Sequence, residues 1–219
     1  MKRAASEEGR DAVPPVSLCA MSRAGPFYYD PARLHPRQAE RLLEIAPYFT
    51  DDVLKEVLVP VATQTFDVSL RVLDYTCTNY AKKTRVVTEM TTAGGAAGPV
   101  HLFSLYKDWL RHYRRKTFDP FRRRERIFFA TVQAEGREVV LDTTVAQLNF
   151  LRWAMAYGIV AYVRRNADAI ERDMMATLAE SKRRRLTRDA QGLARRRAEL
   201  SQAPAMKCIV YDVSQKVVF

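Results

Sequence analysis

Between Phe118 and Val163 the chain runs from an arginine-rich turn, through two β-branched segments, into a helix that is apolar on nearly every side. A helix without a polar face belongs inside a fold, so the rest of the chain must be arranged around it. Its start is marked by Thr144 with Gln147 three residues on, the capping-box spacing in which hydroxyl and amide satisfy orphan backbone donors. Val145, Leu148, Leu151, Trp153, Ala154 and Met155 follow. Upstream, Asp119-Pro120 ends a helix, because proline lacks a donor and pushes the residue before it out of the α region. Arg126 to Val132 is aromatic and β-branched, Glu135-Gly136 supplies a turn and Glu138 to Asp142 returns, the pattern of a β-hairpin. With 219 residues, 47% of them apolar, the chain is long enough to bury a sizeable core.

Around this centre the local signals are mostly helical. A helix is expected from Pro36 to Ala46, with proline at the favoured first position and Pro47 as a stop. Thr50 caps a short helix that Pro60 should end, and Leu70, Leu73, Cys77 and Tyr80 set the stripe of a third from Asp67 to Ala81. Arg85 to Met90 has strand character, and Thr91 to Pro99 reads as a connecting loop. Its GGAAG cluster lacks the Gly-Lys-Ser/Thr of a P-loop and the G-x-G-x-x-G of a dinucleotide turn. A fourth helix covers Val100 to Lys116, with Phe103, Tyr106, Leu110 and Tyr113 on one stripe. Gly158 is a C-cap or a packing glycine, and Asn166 is placed to cap a further helix from Ala167.

The expected fold class is α+β and mainly helical, with helices around a small antiparallel β-hairpin or sheet and a basic C-terminal helix or tail. Residues 1–26, with Pro14, Pro15, Gly25 and Pro26, read as a flexible arm, 27–180 as one globular domain and 181–205 as the basic helix or tail. Residues 206–219 alternate in part and suit a strand added at a sheet edge.

The net charge of +11 is unevenly placed. Residues 1–100 hold 12 basic and 12 acidic side chains, residues 101–219 hold 24 and 13. An excess confined to one part of a chain points to a polyanionic partner. Two runs carry it. The first comprises Lys107, Arg111, Arg114, Arg115, Lys116, Arg122, Arg123, Arg124 and Arg126, against Asp108, Asp119 and Glu125. The second comprises Lys182, Arg183, Arg184, Arg185, Arg195, Arg196 and Arg197. Arginine suits phosphate because its planar fork meets two oxygens at once. Pairing of some of these arginines with Asp119, Glu125, Glu138 or Asp142 across the hairpin is the competing expectation. Tyr106, Tyr113, Phe118 and Phe121 lie beside the first run and would either stack on bases or join the core.

Catalysis is not indicated. The histidines, His35, His101 and His112, are scattered, and Cys77 sits on an apolar stripe with no histidine near it in sequence. Cys19, Cys77 and Cys208 form no metal-ligand pair or disulfide framework, so no cofactor or metal is expected. No run approaches the roughly 18 apolar residues of a membrane span, and MKRAASEEGRDAVPP has no signal-peptide apolar region.

Three stretches, SLRVLDYTCTNYAKK at 69–83, YRRKTFDPFRRRERIFF at 113–129 and TTVAQLNFLRWAMAYGIVAYV at 143–163, resemble uncharacterised proteins of nucleocytoplasmic large DNA viruses. The resemblance implies a shared domain over about residues 65–180 and a viral protein of the host nucleus, cytoplasm or virion. It brings no catalytic residues with it. The expectation is a sequence-independent nucleic-acid binder for packaging or transcription, or else a virion scaffold, homo-oligomeric or not, whose basic tail binds acidic or virion proteins.

Overall fold

A computed structural model describes residues 21–91, 97–132, 137–190 and 206–212. Its centre is the apolar helix. Helix α7 (Val145–Ala156) buries Val145 to Leu151, Trp153 and Ala154, and the hydroxyl of Thr144 accepts the Gln147 N–H to cap it. Helices α1 (Pro36–Ile45), α6 (Leu102–Thr117) and α8 (Ile159–Arg165) pack against it. Gly158, at φ +66, makes the left-handed turn between α7 and α8 that a side chain would strain. Phe118 and Trp153 meet at 5.3 Å, and Phe150, Tyr106 and Trp109 close a ring cluster around them.

On one side of the helices lies an antiparallel sheet ordered β1 (Ser22–Ala24), β2 (Phe27–Tyr29), β5 (Arg126–Val132), β6 (Arg137–Thr144), β7 (Lys207–Asp212). The hairpin of β5 and β6 pairs Arg126 with Thr144 and Val132 with Glu138; its expected turn lies outside the described residues. The edge strand expected near the C-terminus forms, pairing Leu141 with Cys208. The N-terminal arm ends sooner than expected: residues 22–29 form two strands, and Phe27 is fully buried opposite Phe129. Their turn holds Gly25 at φ +58, where an added Cβ would lie 3.1 Å from that of Ala46.

Four local expectations are corrected. Pro60 does not end its helix. α2 (Asp51–Val53) passes through a π-helical turn, Leu54–Leu58, into α3 (Val59–Thr63), and Gln64 at φ 61 closes it. The π turn sends the Val59 N–H back to Leu54 and opens the ladder just where the proline ring enters. The third helix starts at Leu70 under a Ser69 cap and runs as α4 (Leu70–Tyr75), a π turn at Thr76–Tyr80 and α5 (Ala81–Thr84). The stretch expected to be only a loop contributes β4 (Ala97–His101), which pairs with β3 (Val87–Thr91), so α6 begins at Leu102. Asn166 does not cap α9 (Ala167–Ala190) by its side chain; its amide donates to the Tyr162 carbonyl and closes α8.

Helix α9 is tied down by its first half. Ile170 and Met174 are buried, and the Tyr75 hydroxyl bonds Asp173 at 2.5 Å and Thr177 at 2.8 Å. Lys83 reaches the same Asp173 at 3.0 Å. The hydrogen bond from the Tyr75 hydroxyl, and after it the Lys83 ammonium, lower the Asp173 pKa, and the bond to Asp173 raises that of Lys83. Beyond this clasp residues 178–184, Leu186 and Thr187 are exposed.

Candidate nucleic-acid interface

The basic turn after α6 is fixed by three buried side-chain amides, a device that is unusual because a buried amide must have every group satisfied. Gln38 on α1 donates to the Lys116 carbonyl at 3.1 Å, Asn149 on α7 to Thr117 at 2.8 Å, and Gln147 on α7 to Pro120 at 3.3 Å. In each amide the oxygen accepts a bond that sets the direction of its NH2: from the His35 backbone, from Arg152 and from the Thr143 hydroxyl. The Asp119 N–H bonds the Ala146 carbonyl, and Asp119 in turn receives the Phe121 N–H on its carboxylate at 2.8 Å. Residues 116–121 are thus pinned along their length.

Backbone strain marks the same segment. Arg114 lies at φ 59, ψ 166, a region almost confined to glycine, and Glu125 lies at φ 54. The kink at Arg114 interrupts α6 one turn before its end. Surrounding contacts impose it: Tyr113 is held against Phe118 and under the Arg41 guanidinium, 4.4 Å from its ring.

The expected basic residues divide. Lys107, Arg111, Arg114, Arg115, Lys116 and Arg124 are exposed. Arg111 pairs with Asp108 at the surface, where such a pair is worth little. The side chains of Lys107, Arg114, Lys116 and Arg124 make no hydrogen bond or ion pair among the described residues. Arg122 and Arg126 are engaged within the protein: Arg122 forks onto Glu125 at 2.9 and 2.6 Å in the turn before β5, and Arg126 bonds the Arg123 carbonyl and faces Asp142 across the hairpin at 3.4 Å, the pairing that the competing expectation described. Arg123 is half-buried and also engaged.

In the second run Lys182, Arg183 and Arg184 are exposed on α9, with Arg184 bonded to Glu180; Arg185 is helical. Arg195, Arg196 and Arg197 lie outside the described residues. The two runs are carried by different neighbours, α1 and α7 for the loop, α4, α8 and the second π turn for α9. Sequence reasoning missed the exposed Arg37, the Gln38 and Asn149 amides, and the reach of the Gln147 amide beyond its own helix start to Pro120. Gln147 and Asn149 in a helix otherwise apolar all round were the available signal.

The aromatic residues beside the loop are mostly core. Phe118 is buried; Tyr106, Tyr113 and Trp109 are half-buried in the ring cluster, with Arg152 over Trp109 at 5.8 Å. Phe121 alone is exposed. Beneath the loop, burial and then the Asp119 charge push the Asp74 carboxyl up to about 6 against the opposing pull of Arg115. Burial, with Asp74 next, pushes Tyr106 up to about 12, and burial raises the Cys77 thiol far from thiolate chemistry. His35 caps α1 by accepting the Arg37 N–H, and His112 stacks edgewise on Tyr113 at 4.5 Å. Among the described residues no three His, Cys, Asp or Glu side chains form a metal-binding group, and no helix is long and apolar enough to cross a membrane.

The model of a family of unknown function, DUF7197, matches residues 35–215, most of the chain. The chain belongs to DUF7197. Its match takes in all three amides, both basic runs and the edge strand β7, and extends beyond the 65–180 core implied by resemblance. The chain is 27% identical over 162 residues to the uncharacterized protein L507 of Acanthamoeba polyphaga mimivirus. The similarity covers 73% of the chain and 62% of the relative's length, so the chain spans less than two thirds of that protein. No solved structure matches. This member of DUF7197 is thus one of an uncharacterised family of giant-virus proteins.

Proposed function

We propose that this protein binds nucleic acid by its phosphate backbone, without sequence preference and without catalysis, in viral packaging or transcription. The observation that carries the reading is the clamped loop. The buried amide triad fixes the backbone of this segment, and exposed cations lie in it and on either side of it: Lys116 within it, Arg114, Arg115 and Arg124 flanking it, with Lys107 and Arg111 on the preceding helix. Fixed cations meet phosphates at a lower ordering cost than mobile ones.

The test is a salt titration of binding to fluorescent oligonucleotides. Six displaced counterions give a slope of log K against log salt of about −5 on duplex DNA. Replacing Lys107, Arg114, Lys116 and Arg124 with glutamine leaves two contacts and flattens the slope to about −2. An unchanged slope, or no binding at low salt, overturns the reading. Truncation at residue 181 is unsuitable, because it removes β7 and the buried Met206 along with the basic run.

A second reading, a virion scaffold, is favoured by α9, where Met175, Leu178 and Leu186 are 62, 53 and 61% exposed. Such apolar exposure suits a protein contact. Self-association or partner capture that survives nuclease, and is lost on replacing Leu178 and Leu186 with glutamate, would select it.

A further inference from the structure

We infer that the nucleic acid taken by this loop is single-stranded, and that Phe121 is the platform on which an unpaired base stacks; the inference rests on the nucleic-acid reading above. Phe121 is 42% exposed and is the one exposed aromatic side chain among the residues whose exposure is described. The other rings of this part of the chain are spent on the core: Phe118, Tyr106, Trp109 and Tyr113 all pack with Trp153 or with one another.

The position of Phe121 is held, not loose. Its N–H bonds the Asp119 carboxylate at 2.8 Å, the Arg122 N–H returns to the Asp119 carbonyl at 3.3 Å, and the preceding Pro120 is buried with its carbonyl taken by Gln147. On the far side Arg122 forks onto Glu125. A phenylalanine kept in water on a turn braced at both ends has its backbone ordering cost already met. Arg124, three residues on, and Arg114 to Lys116, five to seven residues before, are exposed cations. One aromatic face among cations is the combination that tracks a single strand, where phosphates meet charge and bases offer π faces. A duplex keeps those faces inside its stack and gives Phe121 nothing to cover.

The experiment uses the full chain, its Phe121→Ala and Phe121→Trp variants, and three labelled probes of about 20 nucleotides: a thymidine strand, a blunt duplex and a strand of abasic sites. Urea midpoints confirm that the variants fold. Phe121→Ala is expected to weaken binding to the thymidine strand about tenfold, leave the duplex within about twofold and keep the salt slope. The parent should hold the abasic strand no better than Phe121→Ala holds the thymidine strand, and Phe121→Trp should bind like the parent. An equal loss on strand and duplex, or no loss on either, overturns the stacking role and leaves backbone binding intact. A parent that binds none of the probes overturns both.

Discussion

Replacing Asp74 with asparagine is expected to stabilise the protein at neutral pH and to change nothing in acid. The carboxyl titrates at 3.8 when free and at about 6 in the fold, because burial disfavours its charge, the Asp119 carboxylate repels it and Arg115 only partly compensates. The folded state therefore holds this proton more tightly than the unfolded chain. Between those two values the native state binds more protons, so the Asp74 contribution to stability falls as pH rises through the window and is constant above it. A shift of roughly two units corresponds to about 3 kcal/mol at pH 7. Asp74 keeps some contact with water, so a gain of about 2 kcal/mol for Asp74→Asn is the expectation. Urea unfolding of parent and variant from about pH 4 to about pH 7.5 measures it, and only the difference between them matters, since every other titrating group is shared. A difference that is the same at all pH values, or a variant that is less stable at neutral pH, would refute the argument that a buried charge is being carried.

Three further perturbations test other parts of the structure. Arg114→Gly removes a side chain from a backbone region that strains every residue but glycine and is expected to be more stable than Arg114→Ala by about 1 kcal/mol, read as a shift in urea midpoint. Asn149→Ala strips the Thr117 carbonyl of its donor and the Arg152 guanidinium of its acceptor, for a loss of about 1–3 kcal/mol. If the loop works by being held, this variant also binds nucleic acid more weakly though no cation has been removed, and hydrogen exchange rises in the loop; unchanged exchange there would mean the clamp is not what orders it. Trp153→Ala, at the fully buried centre of the ring cluster, costs about 3–5 kcal/mol by denaturant titration, whereas the exposed Leu43→Ala costs under about 0.5.

How far local sequence reaches is visible element by element. The apolar α7 with its Thr144 cap, the proline start of α1 and the β5–β6 hairpin were legible, since each is encoded by neighbours within a turn or two. The β3–β4 hairpin was not, because Ala97–His101 has glycine and proline where strand residues are usual, and the continuation through Pro60 depended on a π turn that no residue announces. Residues 22–29 read as arm because two three-residue strands carry no period, and their order comes from contacts distant in the chain, β2 pairing with β5 and Phe27 packing on Phe49.

The candidate site divides along the same line. Sequence alone determined that this chain has an all-apolar central helix and a large cationic excess in its second part, because composition and short-range spacing are properties of the chain itself. Only the tertiary structure decided which cations remain available. Arg122 and Arg126 found carboxylates, Lys116 and Arg124 did not, and Gln38 reached across 78 residues to pin the loop that carries them. Hydrogen bonds and ion pairs act over a few ångströms of space, whatever the separation along the chain, so their outcome is set when the helices and sheet pack.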